Sequence, residues 1–390
     1  QTRTSGRPRF VVAMGCMVER ASGAPGMDSF LASADRRVGF KDYLRLPDIC
    51  RELIAEVKSG RRKTQEAPGG YLDFLLSPRL RIGAAHSAYL KLSEGCSNPC
   101  QFCSIPLIRG RQVSRPMDHI LKEARQLVDS GAKELVMIAQ DTTRYGHDLY
   151  GERKLGDLLR KLLALPDRIW FRLMYAYPGF LSDDILGLMG GDPRFCRYID
   201  MPLQHISDEI LKSMGRLSGK KATLQLLDRI ENRLPGAAIR TAFIVGYPGE
   251  KDSHFNELLE FVKEGRFAHM GVFTYSPEPG TPAARLGMTV APELAHERRD
   301  ALMKAQLAVS RARLKKRAGE IVEVLIDARA APDRSKSRKQ CFISRTQREA
   351  PEVDGVIFLH TAPKDRLQPG DFQKVRITGA SDYDLIAERA

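Results

Sequence analysis

Eight residues, Cys96-Ser97-Asn98-Pro99-Cys100-Gln101-Phe102-Cys103, hold three cysteines at Cys-x-x-x-Cys-x-x-Cys spacing. Thiols so close in sequence converge on one centre only if the backbone curls around it, and Gly95, Asn98 and Pro99 are residue types that permit such a curl. A short strand-like stretch, residues 88–93, leads into the loop. Any fold for this chain must bring that strand end and a tight cysteine loop to a place where something is gripped.

Three thiols, rather than four, narrow what that is. A structural zinc site wants four closed ligands, usually from two Cys-x-x-Cys pairs; no second pair follows, and His119 is the nearest other soft ligand. An iron-sulfur cube held by three thiolates leaves one iron without a protein ligand, and an open metal position is where chemistry occurs. Zinc or a disulfide remains the alternative.

At 390 residues the chain has room for two or three domains with cores of their own. Seven cysteines, four of them scattered, do not form a disulfide framework, so a reducing compartment is expected. No run of about 18 apolar residues and no charged-then-apolar leader occurs, so the expected location is cytoplasmic, with no membrane partner. Lys+Arg 62 against Asp+Glu 48 gives +14, which suits an acidic or nucleic-acid-rich partner and equally an ordinary solvated basic surface.

Along the chain, residues 10–14 read as a buried strand ending at Gly15-Cys16, and Leu46-Pro47-Asp48 precede a helix with Ile49, Leu53, Ile54 and Val57 on one face. A strand without preceding partners is a poor domain start, so a missing natural N-terminus is expected. A polar, Gly-containing stretch within residues 59–70 reads as a linker. Cys16 and Cys50, taken alone, are more often small buried hydrophobes than ligands.

From residue 89, apolar strands at 89–92, 134–139, 170–176, 198–203, 239–245 and 271–275 alternate with helices bracketed by Pro116 and Gly131, by Ser182, and by Ser207 and Gly215. Near-continuous apolar strands between amphipathic helices imply parallel βαβ units, six of them, closing partway into a TIM-like barrel. Sites in such folds lie at the carboxyl ends of strands. There stand the cysteine loop, Gln140-Asp141-Thr142-Thr143, Pro202-Leu203-Gln204-His205, Gly246 to Glu250 and Ser276-Pro277-Glu278. Gly246 to Gly249 lacks the Lys-Ser/Thr of a phosphate loop. His205 could shuttle a proton or be a satisfied structural histidine. Residues 292–317 read as one long helix with a basic end, suited to its dipole or to ribosomal RNA. Five short β segments follow, patterned as a small OB-like barrel.

The cysteine spacing with Phe102 before the third cysteine resembles the signature of the radical S-adenosylmethionine enzymes. The turns Lys91 to Cys96, Ala139 to Gly146, Tyr198 to His205, Phe243 to Glu250 and Phe273 to Glu278 resemble their methylthiotransferase branch, over nearly the whole chain from Phe10. The match is to enzymes that methylthiolate an aspartate β-carbon of small-subunit ribosomal protein twelve. The tRNA-modifying branch is similar in the cysteine loop but carries Gln-Asn-Val-Asn where this chain has Gln140 to Thr143.

The resemblance implies an N-terminal methylthiotransferase domain in part (1–60), a linker (61–85), a radical domain (86–317) and a TRAM domain (318–390). It implies a 4Fe-4S cluster on Cys96, Cys100 and Cys103, with S-adenosylmethionine on the open iron as radical source and methyl donor, and Phe102 against its adenine. It implies a second 4Fe-4S cluster as sulfur carrier: Cys16 matches its third ligand, the first two would lie upstream of Gln1, and Cys50 does not fit. Gln140, Asp141, Gln204, Arg216 and Glu250 would touch cofactor or substrate, or serve as caps and struts. The expected partners are the ribosomal protein and an external electron donor, with the enzyme a monomer. Residues 318–390 carry twelve Lys/Arg against twelve Asp/Glu, a poor clamp for tRNA and a better dock for a basic protein. A tRNA adenosine methylthiotransferase and a non-catalytic zinc-stabilised binding protein are the alternatives.

Overall fold

The structure, a computed structural model, describes residues 10–23, 31–59, 75–77, 81–166, 168–330 and 340–390. Most of the linker expected at 61–85 lies outside these residues. Near the N-terminus β1 (Val12–Met14) and β2 (Arg36–Val38) pair in parallel, flanked by helices Cys16–Gly23 and Leu46–Ser59. Val38, Ile49 and Leu53 form the small core of this unit. Ile54, expected on the same face, is 48% exposed. Two short strands cover only a narrow stripe of the helix, and Ile54 falls beside it.

Six parallel strands make the central region: β3 (Ser87–Lys91), β6 (Glu134–Ile138), β7 (Trp170–Leu173), β8 (Tyr198–Asp200), β9 (Ala238–Val245) and β10 (His269–Thr274). They lie in two three-stranded sheets, β3-β6-β7 and β10-β9-β8, with one parallel bridge, Phe171 to Phe195, at the seam. A two-residue ribbon, β4 (Ser93–Glu94) against β5 (Val113–Ser114), spans the cysteine loop. All six expected strands are present, but β7 and β8 stop about three residues early. The Tyr175 N–H there donates to Asp200 Oδ2 (3.1 Å), which diverts a backbone donor from the ladder.

Strand alternation sorts side chains onto two faces. Ala88, Leu90, Leu135, Met137, Phe171, Leu173, Ile199 and Phe243 point outward into the main core under the helices. Val136, Trp170, Met174, Tyr198 and Ala238 point inward and share a second buried cluster with Leu325, Ala350 and Phe372 from the C-terminal region. That region is a closed five-stranded barrel of β11 (Ile321–Arg329), β12 (Gln340–Arg345), β13 (Ile357–Thr361), β14 (Phe372–Ala380) and β15 (Leu385–Arg389), ordered β11-β12-β13-β15-β14. It sits at the amino ends of the central strands and stops the interior from below, leaving the carboxyl ends as the mouth. Helix Pro292–Lys315 joins the two regions. Three arginines of its basic end are engaged by the protein: Arg311 pairs with Asp382 at the surface (2.6 Å), Arg313 donates to the Gly265 carbonyl (2.9 Å), and Arg317, just beyond, makes a buried pair with Glu349 (3.0 Å).

Candidate active site

The cysteine loop is stitched to its surroundings on three sides. Cys96 N–H donates to the Gly110 carbonyl (3.1 Å), Gln101 N–H to the Met214 carbonyl (3.0 Å), and Ala283 N–H to the Gln101 carbonyl (3.0 Å). Two glycines make this approach possible. Gly95 has φ +75, and a Cβ there would stand 2.3 Å from the Arg111 carbonyl oxygen; at Gly215, φ +69, it would stand 2.4 Å from that of Pro99.

Cys96, Cys100 and Cys103 are half-buried and unpaired, near enough that each of the other two raises the pKa of Cys96 and that Cys100 raises that of Cys103. Burial is the larger effect, pushing the Cys96 thiol up to about 11 and Cys103 in the same direction. A neutral pocket is therefore a poor home for three thiolates, and a positively charged inorganic core would reverse that penalty. Among the described residues no three His, Cys, Asp or Glu side chains are gathered tightly enough for a single metal ion. One cation already leans in: Arg216 Nη1 lies 3.4 Å from Cys100 Sγ, its Nη2 donates to the Pro202 carbonyl (2.8 Å), and its guanidinium lies 4.2 Å over the Tyr177 ring.

Around the loop several buried polar atoms lack a partner in the protein: Asn98 Oδ1, Gln140 Oε1 and Tyr275 OH. Each side chain is anchored or packed otherwise. Asn98 Nδ2 donates to Asp141 Oδ2 (2.7 Å), Gln140 Nε2 donates to Glu94 Oε1 (2.6 Å), and Tyr275 packs with Tyr247, Met214 and Phe102. Unsatisfied buried groups are rare, and a set of them facing one loop suits a polar ligand. Cluster and cofactor thus fit the residues present.

The expected site residues separate into two kinds. Phe102, Gln140, Gln204 and Arg216 stand at the mouth. Gln204, with φ +75, is clamped by its N–H to Ala242 O and by its carbonyl to Ile244 N–H, both 2.8 Å. Glu250 instead is a strut, 4% exposed. It accepts from Gly246 N–H (2.5 Å) and Arg298 Nη1 (2.8 Å) and lies 3.2 Å from His205 Nε2. His205 is fully buried and its Nδ1 accepts from Ser207 N–H (3.0 Å), which makes it the satisfied histidine rather than a shuttle. Asp141 holds Asn98 and caps its own turn through Thr143 Oγ1 (2.6 Å).

Cys16 is exposed at the start of its helix, and Arg109 Nη2 lies 3.1 Å from its sulfur. Arg109 also donates to Glu94 Oε1 (3.1 Å), which accepts from Gln140, so a polar chain runs from Cys16 to the mouth. Glu94 and Arg109 gave no sequence signal beyond lying beside the cysteines.

Comparison with known proteins agrees with this geometry. Residues 90–262 match the Radical SAM superfamily and residues 318–389 the TRAM domain. A protein of Pelotomaculum thermopropionicum named ribosomal protein uS12 methylthiotransferase RimO is 37% identical over 388 residues, covering 100% of this chain and 84% of the relative. One of the same name in Desulforamulus reducens is 42% identical over 396 residues, covering 100% and 85%. The chain belongs to the RimO family. Its fold is also like that of TsrM, a radical S-adenosylmethionine methyltransferase of Kitasatospora setae. The TM-score is 0.51 at 17% identity, covering 73% of this chain and 59% of that one. RimO-family membership makes this a radical S-adenosylmethionine methylthiotransferase, a class whose chemistry rests on a 4Fe-4S cluster and S-adenosylmethionine. Among the described residues no helix is long and apolar enough to cross a membrane.

Proposed function

We propose that this chain methylthiolates the β-carbon of an aspartate in ribosomal protein uS12. The carrying observation is the curled three-thiol loop faced by unsatisfied polar atoms, in a chain that aligns over its whole length with 84% of a RimO relative. Cys96, Cys100 and Cys103 hold the 4Fe-4S cluster. Bound there, cluster and S-adenosylmethionine supply the methyl group and the one-electron chemistry that activates an unreactive carbon–hydrogen bond.

The chain's own residues position and shield. Arg216 would offset negative charge at the Cys100 sulfur, and the Phe102 ring would lie against the adenine. Gln140 Oε1 and Asn98 Oδ1, which lack protein partners, would accept hydrogen bonds from the cofactor, and Gln204 would border the substrate. Glu250 acts through its buttress of the Gly246 turn. Tyr247, Tyr275 and Met214 keep water from the floor of the loop.

The six strands form a partial (βα)6 barrel over residues 86–317, followed by the TRAM domain at 318–390 and preceded by a linker (61–85). Residues 1–60 are part of a methylthiotransferase domain in which Cys16 is one ligand of a second 4Fe-4S cluster. Cys16 alone among the described residues does not make that site, so no step is assigned to it. The enzyme works as a cytoplasmic monomer with an external electron donor. The uncharged balance of the TRAM region supports a basic protein rather than tRNA as the substrate.

The test is anaerobic reconstitution of the intact protein with iron and sulfide, then incubation with reductant, S-adenosylmethionine and uS12. Mass analysis is expected to show a methylthio gain on one aspartate. An unmodified uS12 together with thiomethylated adenosine in a tRNA digest would replace this reading with the nucleic-acid one.

A further inference from the structure

Among the described residues three that are not glycine have positive φ: Tyr175 (58°), Gln204 (75°) and Glu352 (63°). Tyr175 is the least expected. A left-handed backbone is unfavourable for an L-residue, and tyrosine lacks the short polar side chain by which asparagine or aspartate offsets this locally. Such a conformation persists only where the surroundings over-determine it.

They do so here from two neighbouring strands. Tyr175 N–H donates to Asp200 Oδ2 (3.1 Å), and its carbonyl accepts from both Thr142 N–H and Thr142 Oγ1 (3.1 Å each). Thr142 and Asp200 are buried. Two turns of the mouth therefore grip the two peptide groups that flank one residue and force its shape.

Packing does not require the side chain that this shape displays. Met174, Ala176 and Tyr177 are buried, whereas Tyr175 is 45% exposed. Its phenol lies within electrostatic reach of Tyr89 on the inner face of edge strand β3, which is itself 47% exposed. The opposite edge strand presents Phe273 on its inner side, 62% exposed, because Val272 faces the helices. β3 and β10 are edge strands that do not pair with each other, and Tyr175 stands exposed on the Tyr89 side of the gap between them. A glycine would satisfy the backbone with less strain and give up only the covered half of the ring.

We infer that Tyr175 is a specificity-determining residue whose ring packs against the aspartate-bearing segment of the substrate polypeptide and sets its depth beneath the cofactor. The inference rests on the function proposed above. An aromatic ring held in place at the end of a strand supplies rigid, amphipathic contact area at low entropic cost, suited to an extended peptide backbone.

The experiment compares intact, reconstituted enzyme with Tyr175→Gly. Three quantities are read: the thermal midpoint, the formation of 5′-deoxyadenosine without substrate, and KM and kcat for uS12 methylthiolation. The variant is expected to melt within about 2 °C of the parent or above it, because relief of strain offsets the flexibility of glycine. It should cleave S-adenosylmethionine within about two-fold of the parent and show a KM for uS12 raised about ten-fold or more, one aromatic contact's worth. An unchanged KM overturns the inference. So does a midpoint several degrees lower with cofactor cleavage lost in parallel, which would mark Tyr175 as structural. If the parent itself leaves uS12 unmodified, the functional reading falls first and carries this one with it.

Discussion

Arg345 Nη2 in the TRAM barrel donates to Glu134 Oε2 at the start of β6 across 2.9 Å, joining residues 211 positions apart with both side chains at most 2% exposed. Arg172 Nε donates to the same carboxylate (2.8 Å), and Asp327 Oδ2 accepts from Arg345 Nε (2.7 Å). The barrel's floor is therefore fastened by charge as well as by apolar packing.

Removing one partner strands the others. Glu134→Gln leaves two buried guanidiniums short of a counter-charge and is expected to destabilise the protein by about 3–5 kcal/mol. Denaturant unfolding measures this, and a loss under about 1 kcal/mol would show that the pair is not buried in solution.

The same carboxylate sets an acid limit. Burial alone would push Glu134 up from 4.5, but Arg345 and Arg172 reverse this and hold it at about 2. Its folded pKa is depressed, so its contribution is complete above pH about 4.5 and is lost as pH falls toward about 2. Unfolding free energy followed over that window should decline in the parent and flatten in Glu134→Gln.

Exposed pairs should behave differently. Arg311 and Asp382 form a two-pronged contact (2.6 and 2.9 Å) with half of each side chain in solvent. Asp382→Asn is expected to leave the denaturant midpoint almost unmoved, and denaturant unfolding at low and high salt should show for this pair a salt dependence that the Glu134 pair lacks.

Gly215 tests the loop's geometry without touching a thiol. Its Cβ would collide with the Pro99 carbonyl, so Gly215→Ala should force the cysteine loop outward. Iron bound after reconstitution is expected to drop to less than about half of the parent's while the far-ultraviolet circular dichroism is kept. Full iron loading would show that the loop tolerates the shift.

Arg216 contributes charge beside Cys100. Replacing it by Gln should lower the cluster's reduction potential, read by an electron paramagnetic resonance titration. Cofactor cleavage should slow about ten-fold, the worth of one charge-assisted hydrogen bond. An unmoved potential would assign Arg216 to packing on Tyr177 alone.

Much of this was legible in the residues. Alternating apolar strands and punctuated helices gave the six parallel strands, the spacing of Cys96, Cys100 and Cys103 gave the loop, and the β segments after residue 318 gave the small barrel. These features are local, and periodicity records them. Glu134, Arg172, Asp327 and Arg345 left no such trace, because a charged residue on a strand reads as a solvent-facing one until a second domain covers it. Glu250 looked like a ligand at a strand end, yet Arg298 and His205 claim it from distant elements. Tyr175 escaped notice because left-handed backbone is signalled by glycine or asparagine, and tyrosine is neither.

The central claim is that three thiols hold an iron-sulfur cube whose open corner takes S-adenosylmethionine. The most direct measurement is 5′-deoxyadenosine formation by anaerobically reconstituted protein, set beside Cys96→Ala, Cys100→Ala and Cys103→Ala. Cleavage by the parent, lost in each of the three variants together with the cubane absorbance, is the expected result. Cleavage that survives any one of these substitutions, or a parent that binds zinc and gives no cubane spectrum, would contradict it.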